Sequence, residues 1–124
     1  MRRILVIDDD DQTRRMLRQA LERAGYEVTE ARDGREGVQR YHTSPVDLIL
    51  TDVMMPGTEG IETIFALQHE VAPVKIIAMS GGGYMGDLTF LQLAERAGAC
   101  RTFEKPFALR ELLDAVHEVL AANG

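Results

Sequence analysis

The chain has 124 residues, 45% hydrophobic and 27% charged, which predicts one compact globular domain spanning residues 1–124. Fourteen lysines and arginines against twenty aspartates and glutamates give a formal net charge of -6 at pH 7, which opposes direct binding to nucleic acid. The single cysteine, Cys100, excludes an intramolecular disulfide and a cysteine-based metal site. We interpret Cys100 as a core residue within a strand.

The apolar run near the N-terminus, residues 4–7, is short because four consecutive aspartates follow it. A signal peptide would need a longer apolar stretch at this point. No other segment of the sequence is long and apolar enough to span a membrane. We therefore expect a soluble, cytoplasmic protein that does not bind a membrane.

Short apolar segments typical of buried parallel strands recur along the chain. The five predicted strands cover residues 4–7, 27–31, 48–50, 75–79 and 100–104. Segments with helical spacing lie between them. Strict alternation of strands and helices predicts an α/β fold with a parallel sheet covered on both faces and right-handed crossovers.

The first and last helices are predicted from apolar stripes. The first stripe consists of Met16, Leu17, Ala20, Leu21 and Ala24. The last helix, residues 108–122, has a stripe consisting of Leu109, Leu112, Leu113, Val116 and Leu120. Gly25 ends the first helix, and Gly98 ends a later helix after the same Glu-Arg-Ala-Gly tetrapeptide, as glycine commonly does at helix C-termini.

Polar residues follow four of the predicted strands. Asp8 and Asp9 follow the first strand, Asp52 the third, Ser80 the fourth and Lys105 the fifth. In doubly wound sheets, functional groups gather just past the carboxyl ends of the strands. We therefore expect these five residues to converge at one edge of the sheet.

The aspartates after the first strand fit two interpretations. Asp10 and Asp11 suit the N-cap and acidic first turn of a helix. Asp8 and Asp9 directly follow a buried strand, and Asp52 is expected on a neighbouring strand at a similar height. Carboxylates about 4 Å apart repel by roughly 4 kcal/mol at an effective dielectric of about 20, so the cluster needs a cation. A site with few protein oxygen ligands, completed by water and substrate phosphate, is typical of Mg²⁺ rather than Ca²⁺.

Once a metal offsets the charge, a carboxylate can attack phosphorus and form an acyl phosphate. Asp52 is the predicted nucleophile because it is central in the cluster. Lys105 alone would be interpreted as a surface cation, but here its ammonium can pair with Asp52 or with a phosphoryl oxygen. Ser80 fits either an ordinary hydroxyl at a strand end or a hydrogen-bond donor to the phosphoryl group.

Four motifs resemble the receiver domain of bacterial two-component response regulators, the CheY-like domain, over essentially the whole chain. They are ILVIDDD at 4–10, LILTDVMMPG at 48–57, AMSG at 78–81 and EKPF at 104–107. The resemblance implies a flavodoxin-like, doubly wound fold with five parallel strands in the order 2-1-3-4-5, flanked by five helices.

The resemblance also implies roles for individual residues. Asp52 would be the phospho-acceptor, while Ser80 and Lys105 would contact the phosphoryl group and a cis peptide would precede Pro106. The implied Mg²⁺ ligands are Asp8, Asp9, Asp52 and the backbone carbonyl of Met54. The implied phosphoryl donor is a histidine kinase or a phosphotransfer domain, sometimes replaced by a small phosphodonor. Such a domain catalyses its own phosphorylation and dephosphorylation and is not a conventional enzyme.

The sequence departs from this family pattern in three places. Thr102 occupies a position where many receivers carry an aromatic residue that rotates on activation. The segment 81–86 contains four glycines, which predicts either a slack connection or a loop that orders on phosphorylation, with Tyr84 and Met85 as contacts. Met54 and Gly82 cannot orient water with their side chains, so we expect an aspartyl phosphate that is long-lived unless a phosphatase intervenes.

The output surface is predicted on the fourth helix, fifth strand and fifth helix, which would bind an output protein or a second copy of the chain. The predicted fourth helix is broadly apolar, with Leu88, Phe90, Leu91, Leu93, Ala94 and Ala97. Part of this set is explained equally well by core packing.

Two other function classes are alternatives. The first is a small enzyme, either a flavin-binding protein or an aspartyl-nucleophile phosphatase. The aspartates of residues 8–11 would repel a flavin phosphate, and no segment could form the cap of a phosphatase. The second is an interaction module that is never phosphorylated, which the joint presence of Asp8, Asp9, Asp52, Ser80 and Lys105 disfavours.

Overall fold

The structure of the chain is a computed structural model that describes residues 2–53, 64, 66, 74–80, 92 and 94–121. Residues 64, 66, 92 and 94–97 are helical. The complete described elements, in chain order, are β1 (Arg3–Ile7), α1 (Asp11–Arg23), β2 (Glu27–Ala31), α2 (Gly34–Thr43), β3 (Leu48–Asp52), β4 (Lys75–Ser80), β5 (Arg101–Glu104) and α3 (Leu109–Ala121). The helix labelled α3 is the last helix of the sequence prediction.

The five strands form one parallel sheet in the order β2-β1-β3-β4-β5, which confirms the predicted order. At the carboxyl end, Ile7 pairs with Ala31 on one side and with Thr51 on the other. At the same carboxyl end, Ser80 of β4 pairs with Glu104 of β5, the edge strand of the sheet. The residues that follow β1, β3, β4 and β5 therefore emerge at the same edge.

The core occupies both faces of the sheet because successive side chains of a strand point to opposite faces. Ile4 and Val6 of β1 pack on one face with buried residues of α1 and α3. Leu5 and Ile7 pack on the other face with Tyr41 of α2. Burial on both faces explains why the central strands are continuous apolar runs rather than alternating patterns.

Helix α1 begins after an N-cap at Asp10, whose side chain accepts a hydrogen bond from the backbone N–H of Thr13. Gly25 has a φ of +100°, which allows the chain to turn out of the helix. The predicted stripe was partly wrong, because Met16 is 45% exposed. The buried residues of the helix are Arg14, Leu17 and Leu21, so a charged residue extends the core-facing side.

The prediction that Cys100 is a core residue within a strand is wrong. Cys100 is exposed and lies one residue before β5 begins. Its backbone N–H donates to the carbonyl of Ile76 at 2.7 Å, which brings the chain alongside β4. The side chain is exposed because β5 is an edge strand of the sheet, and an edge strand has a neighbouring strand on one side only.

Several predictions concern residues outside the described part of the chain. These are the carbonyl of Met54, Gly82 and the rest of the segment 81–86, and the apolar residues Leu88, Phe90, Leu91 and Leu93. The two described members of that apolar set, Ala94 and Ala97, belong to the core on the α2 face of the sheet. Among the helices that the structure describes, none combines the length and apolar character needed to cross a bilayer.

Candidate functional site

Three aspartates meet at the carboxyl ends of β1 and β3, as the strand-end pattern predicted. The two strands are paired, with Ile7 opposite Thr51, so the residues that follow lie at the same height. Asp8 and Asp52 are buried, whereas Asp9 is exposed. One carboxylate oxygen from each of the three lies within 4.8 Å of the others.

Lys105 reaches this cluster from the end of β5. Its Nζ donates to Oδ2 of Asp8 at 2.9 Å and to Oδ2 of Asp52 at 3.3 Å. Burial lowers the pKa of the ammonium, but the hydrogen bond to Asp8 and the negative charge of Asp52 outweigh burial, so the pKa of Lys105 lies above its ordinary value. Lys105 is therefore a cation in the folded protein at neutral pH.

The backbone holds Lys105 in this position. Its N–H donates to the carbonyl of Ser80 at 2.7 Å, which joins the ends of β5 and β4. The peptide bond between Lys105 and Pro106 is cis, as the family resemblance implied. The contact with Asp52 agrees with the sequence interpretation, whereas the shorter contact with Asp8 was not anticipated.

Asp8 is held at every polar atom by a described partner. Its N–H donates to the carbonyl of Ala31 at 3.1 Å, and its Oδ1 accepts from the N–H of Asp10 at 2.9 Å. Its Oδ2 accepts from Lys105, and its backbone carbonyl accepts from Arg14 at 2.8 Å. The side chain of Asp8 is thus fixed before any ligand binds.

Ser80 ends β4 and is fully buried. Among the residues that the structure describes, no group forms a hydrogen bond with its Oγ. An unsatisfied buried hydroxyl costs about 1–3 kcal/mol, and such groups commonly indicate a functional site. The hydroxyl is therefore available to donate to an added acceptor oxygen.

The sequence interpretation missed Arg14, whose guanidinium lies against the acidic cluster. Its side chain is only 9% exposed and its NH1 contacts the carbonyl of Asp8. A signal was present in the sequence, since Arg14 precedes Leu17 by three residues and Leu21 by seven, on the core-facing side of the helix.

The donor set fits a hard divalent cation. Three carboxylates supply only oxygen ligands, which Mg²⁺ prefers. One oxygen from each of these carboxylates lies within 4.8 Å of the others, so the three residues could hold one ion together. The buried hydroxyl of Ser80, to which no described residue forms a hydrogen bond, fits the additional presence of an anion with acceptor oxygens.

Comparison with known proteins identifies the class of protein that this fold and site define. The sequence model of the response regulator receiver domain matches residues 4–117. The chain therefore belongs to the response regulator receiver domain family, whose members act in two-component signal transduction and are generally signal transducers without enzymatic turnover.

Individual relatives agree with this assignment. The chain is 33% identical to the response regulator receiver protein CpdR of Brucella abortus over 122 residues, covering 98% of this chain and 99% of that protein. It is 34% identical to the chemotaxis protein CheY of Thermotoga maritima, covering 95% and 97% of the two chains. It is also 36% identical to the transcriptional regulatory protein ResD of Bacillus subtilis, covering 95% of this chain but 48% of ResD.

Solved structures show the same fold. A CheY-like receiver domain protein from Methanospirillum hungatei superposes with a TM-score of 0.85 at 31% identity, covering 97% of this chain and 94% of the other. A response regulator from Chloroflexus aurantiacus superposes with a TM-score of 0.87 at 30% identity, covering 97% and 98%. The predicted flavodoxin-like receiver fold is confirmed.

Proposed function

We propose that this receiver domain accepts a phosphoryl group on Asp52 in a Mg²⁺-dependent reaction, with a histidine kinase or phosphotransfer protein as donor. The modified domain would then bind its partner differently. The observation that carries the proposal is the cluster of Asp8, Asp9 and Asp52, with the ammonium of Lys105 within hydrogen-bond reach of two of its members.

In this proposal the carboxylates of Asp8, Asp9 and Asp52 hold Mg²⁺, together with the backbone carbonyl of Met54, which the family resemblance implies. When bound, the cation offsets the negative charge of the carboxylates and of the incoming phosphoryl oxygens. This offset removes the repulsion that would otherwise keep an anionic donor away from the cluster.

Asp52 supplies the nucleophile. Its carboxylate oxygen forms a bond to phosphorus, and the bond from phosphorus to the donor nitrogen or oxygen breaks, leaving an acyl phosphate. Lys105 transfers its hydrogen bond from Asp52 to a phosphoryl oxygen, because Nζ already lies at the carboxylate that is modified. Ser80 donates its hydroxyl, which has no hydrogen-bond partner among the described residues, to another phosphoryl oxygen.

Two described features bear on how phosphorylation would change the surface. Thr102 is half-buried on β5 opposite Ala78, so the position of the usual aromatic switch residue carries no ring. Phe103 and Phe107 instead pack together with ring centroids 5.5 Å apart, against the core on the α1 and α3 face. We infer that movement of the backbone at Ser80 carries the signal.

The proposed partner surface includes β5 and α3, with the predicted fourth helix. Arg101 of β5 and Glu118 of α3 form an exposed ion pair at 2.8 Å, so these two elements present a joint polar surface. A ligand that binds one of two conformations more tightly shifts the population toward it. Movement at the end of β4 would therefore change partner affinity at the neighbouring strand β5.

The test is incubation with Mg²⁺ and acetyl phosphate, followed by intact-protein mass spectrometry. Wild-type protein is expected to gain the mass of one phosphoryl group, and removal of Mg²⁺ with a chelator is expected to prevent the gain. Asp52→Asn should remain unmodified. Asp47→Asn is the matched control, since Asp47 contacts the N–H of Arg3, before the start of β3 and outside the acidic cluster.

A wild-type protein that stays unmodified under these conditions would contradict the proposal. So would equal modification of the Asp52→Asn variant, because a different residue would then be the acceptor. Binding of beryllofluoride with Mg²⁺, followed by NMR, provides a second measurement that does not depend on the lifetime of the acyl phosphate.

A further inference from the structure

Arg14 forms hydrogen bonds with three separate parts of the chain. Its NH1 donates to the backbone carbonyl of Asp8 at 2.8 Å. Its Nε donates to Oε1 of Glu30 on β2 at 2.9 Å, and its NH2 donates to Oδ1 of Asp11 at 2.6 Å. The planar guanidinium therefore joins β2, the first turn of α1 and the segment that carries the acidic cluster.

We propose that Arg14 is a positioning residue for the metal site, which fixes the peptide between Asp8 and Asp9 and so directs the Asp9 carboxylate toward the cation. This inference rests on the proposed function, because it requires that the acidic cluster bind Mg²⁺.

The geometry of the two peptide planes around Asp8 supports this role. Because peptide units are planar, a hydrogen bond at one atom of a unit restrains the orientation of the whole unit. The unit before Asp8 is held through its N–H by Ala31. The unit after it, which includes the nitrogen of Asp9, is held through its carbonyl by Arg14. Asp9 is exposed, and its backbone lies between this unit and the next one, whose N–H at Asp10 donates to Oδ1 of Asp8. Arg14 therefore supplies the restraint on the N-terminal side of Asp9.

The partners of Arg14 make its orientation specific. A guanidinium presents its donors in a rigid fork, and the carboxylates of Glu30 and Asp11 accept from Nε and NH2, the two nitrogens that do not contact Asp8. These two negative charges also offset the positive charge of Arg14, which limits its repulsion of a nearby cation. Groups that orient metal ligands in this way typically change metal affinity by about 10–100-fold when they are replaced.

Arg18 provides a matched control on the same helix. Its NH1 donates to the other oxygen of Glu30 at 2.7 Å and its Nε donates to Glu22 at 3.2 Å. Arg18 therefore shares a carboxylate partner with Arg14, but its described contacts do not include Asp8. Replacing either arginine by lysine retains the charge and removes the fork, so the two variants differ in their connection to the metal site.

The first measurement is Mg²⁺ affinity by isothermal titration calorimetry. Arg14→Lys is expected to raise the Kd for Mg²⁺ by about tenfold or more, whereas Arg18→Lys should leave the Kd close to that of wild type. The second measurement is the rate of phosphorylation by acetyl phosphate as a function of Mg²⁺ concentration. Arg14→Lys should raise the half-saturating Mg²⁺ concentration and retain most of the maximal rate. If Arg14 were only part of a structural ion pair, its replacement would lower thermal stability but would not raise the half-saturating Mg²⁺ concentration.

Equal Mg²⁺ affinity in Arg14→Lys, Arg18→Lys and wild type would overturn the inference and leave the proposed function intact. Failure of wild-type protein to bind Mg²⁺ would instead overturn the proposed function. If Arg14→Lys does not fold, Glu30→Gln serves as the second variant, because it removes a charged partner of Arg14 and leaves every proposed metal ligand in place. Weaker Mg²⁺ binding is expected there, and unchanged binding would count against a positioning role.

Discussion

Lys105 and Asp8 are 97 residues apart in the sequence, yet Nζ of Lys105 lies 2.9 Å from Oδ2 of Asp8. Asp8 is fully buried, and the side chain of Lys105 is 22% exposed. The same ammonium also contacts Asp52. A single cation thus stabilises two buried carboxylates at the edge of the sheet, where a divalent ion would share the same ligands.

Replacement of Lys105 by methionine is expected to have opposite effects on metal binding and on chemistry. Mg²⁺ should bind more tightly, because a neighbouring positive charge is removed, whereas phosphorylation by acetyl phosphate should slow. The free energy of unfolding without Mg²⁺ should fall by about 1–3 kcal/mol, less than for a fully buried pair, because Lys105 is partly exposed. Calorimetric titration measures the Mg²⁺ affinity, mass spectrometry over time measures the phosphorylation rate, and urea unfolding measures the free energy of unfolding.

Lys75→Met is the control for this variant. Lys75 is the other lysine of the chain, and its Nζ donates to the carbonyl of Val119 at 2.6 Å, near the end of α3. Its loss should affect stability but leave Mg²⁺ affinity unchanged. Weaker Mg²⁺ binding in Lys105→Met would show that the charge of Lys105 does not oppose the cation.

Ser80→Ala is expected to preserve or slightly raise stability while slowing phosphorylation. The described residues provide no hydrogen bond to Oγ of Ser80, so its removal relieves a desolvation cost of about 1–3 kcal/mol. Thermal unfolding and phosphorylation rates provide the measurements.

Thr51→Val gives the contrasting result, because the Thr51 hydroxyl is buried and donates to the carbonyl of Asp52 at 3.3 Å. Loss of that bond should lower the free energy of unfolding by about 0.5–1.5 kcal/mol. A larger loss of stability for Ser80→Ala than for Thr51→Val would indicate that the Ser80 hydroxyl is satisfied in the unmodified protein.

Glu30 predicts a pH dependence of stability. The hydrogen bond from Arg18 lowers the pKa of Glu30, burial opposes this, and the hydrogen bond from Arg14 lowers it again, so the net pKa lies below the ordinary value of 4.5. A carboxylate with a lower pKa in the folded chain stabilises it above the unfolded pKa, and this stabilisation is lost as the pH falls through the folded pKa.

The stability difference between wild type and Glu30→Gln should therefore be largest at about pH 7, at roughly 1 kcal/mol, and should close as the pH falls below the ordinary carboxyl pKa of 4.5. Urea unfolding at a series of pH values measures this difference. A stability difference between the two proteins that increases as the pH falls would show that the pKa of Glu30 is raised and not lowered in the folded chain.

Gly37→Ala is expected to destabilise the domain, although alanine is more favourable than glycine inside a helix by about 1 kcal/mol. A Cβ at Gly37 would overlap the Cδ1 atom of Ile7, and overpacking of this kind typically costs about 1–3 kcal/mol. Adding Ile7→Val removes Cδ1 and should recover part of the loss. A double-mutant cycle by thermal unfolding tests the coupling, and simple additivity of the two changes would contradict it.

The order of strands and helices followed from the sequence because burial on both faces imposes continuous apolar runs, which glycines and polar residues interrupt. The same apolar runs predicted which polar residues lie at strand ends, namely Asp8, Asp52, Ser80 and Lys105. Their convergence could also be predicted, since a parallel sheet brings the carboxyl ends of its strands to one edge. The strand order came from the family resemblance, because alternation alone is compatible with several orders.

Only the tertiary structure decided which side chains touch. The contact of Lys105 with Asp8, the burial of Arg14 against the Asp8 carbonyl and the exposure of Cys100 each depend on register and packing between elements distant in sequence. Hydrophobic periodicity assigns a residue to a face, but it carries no information about the partner that a buried charge will find across that face. The acidic cluster could therefore be predicted from the sequence alone. The contacts of the Lys105 ammonium and the Arg14 guanidinium with Asp8 could be identified only in the folded structure.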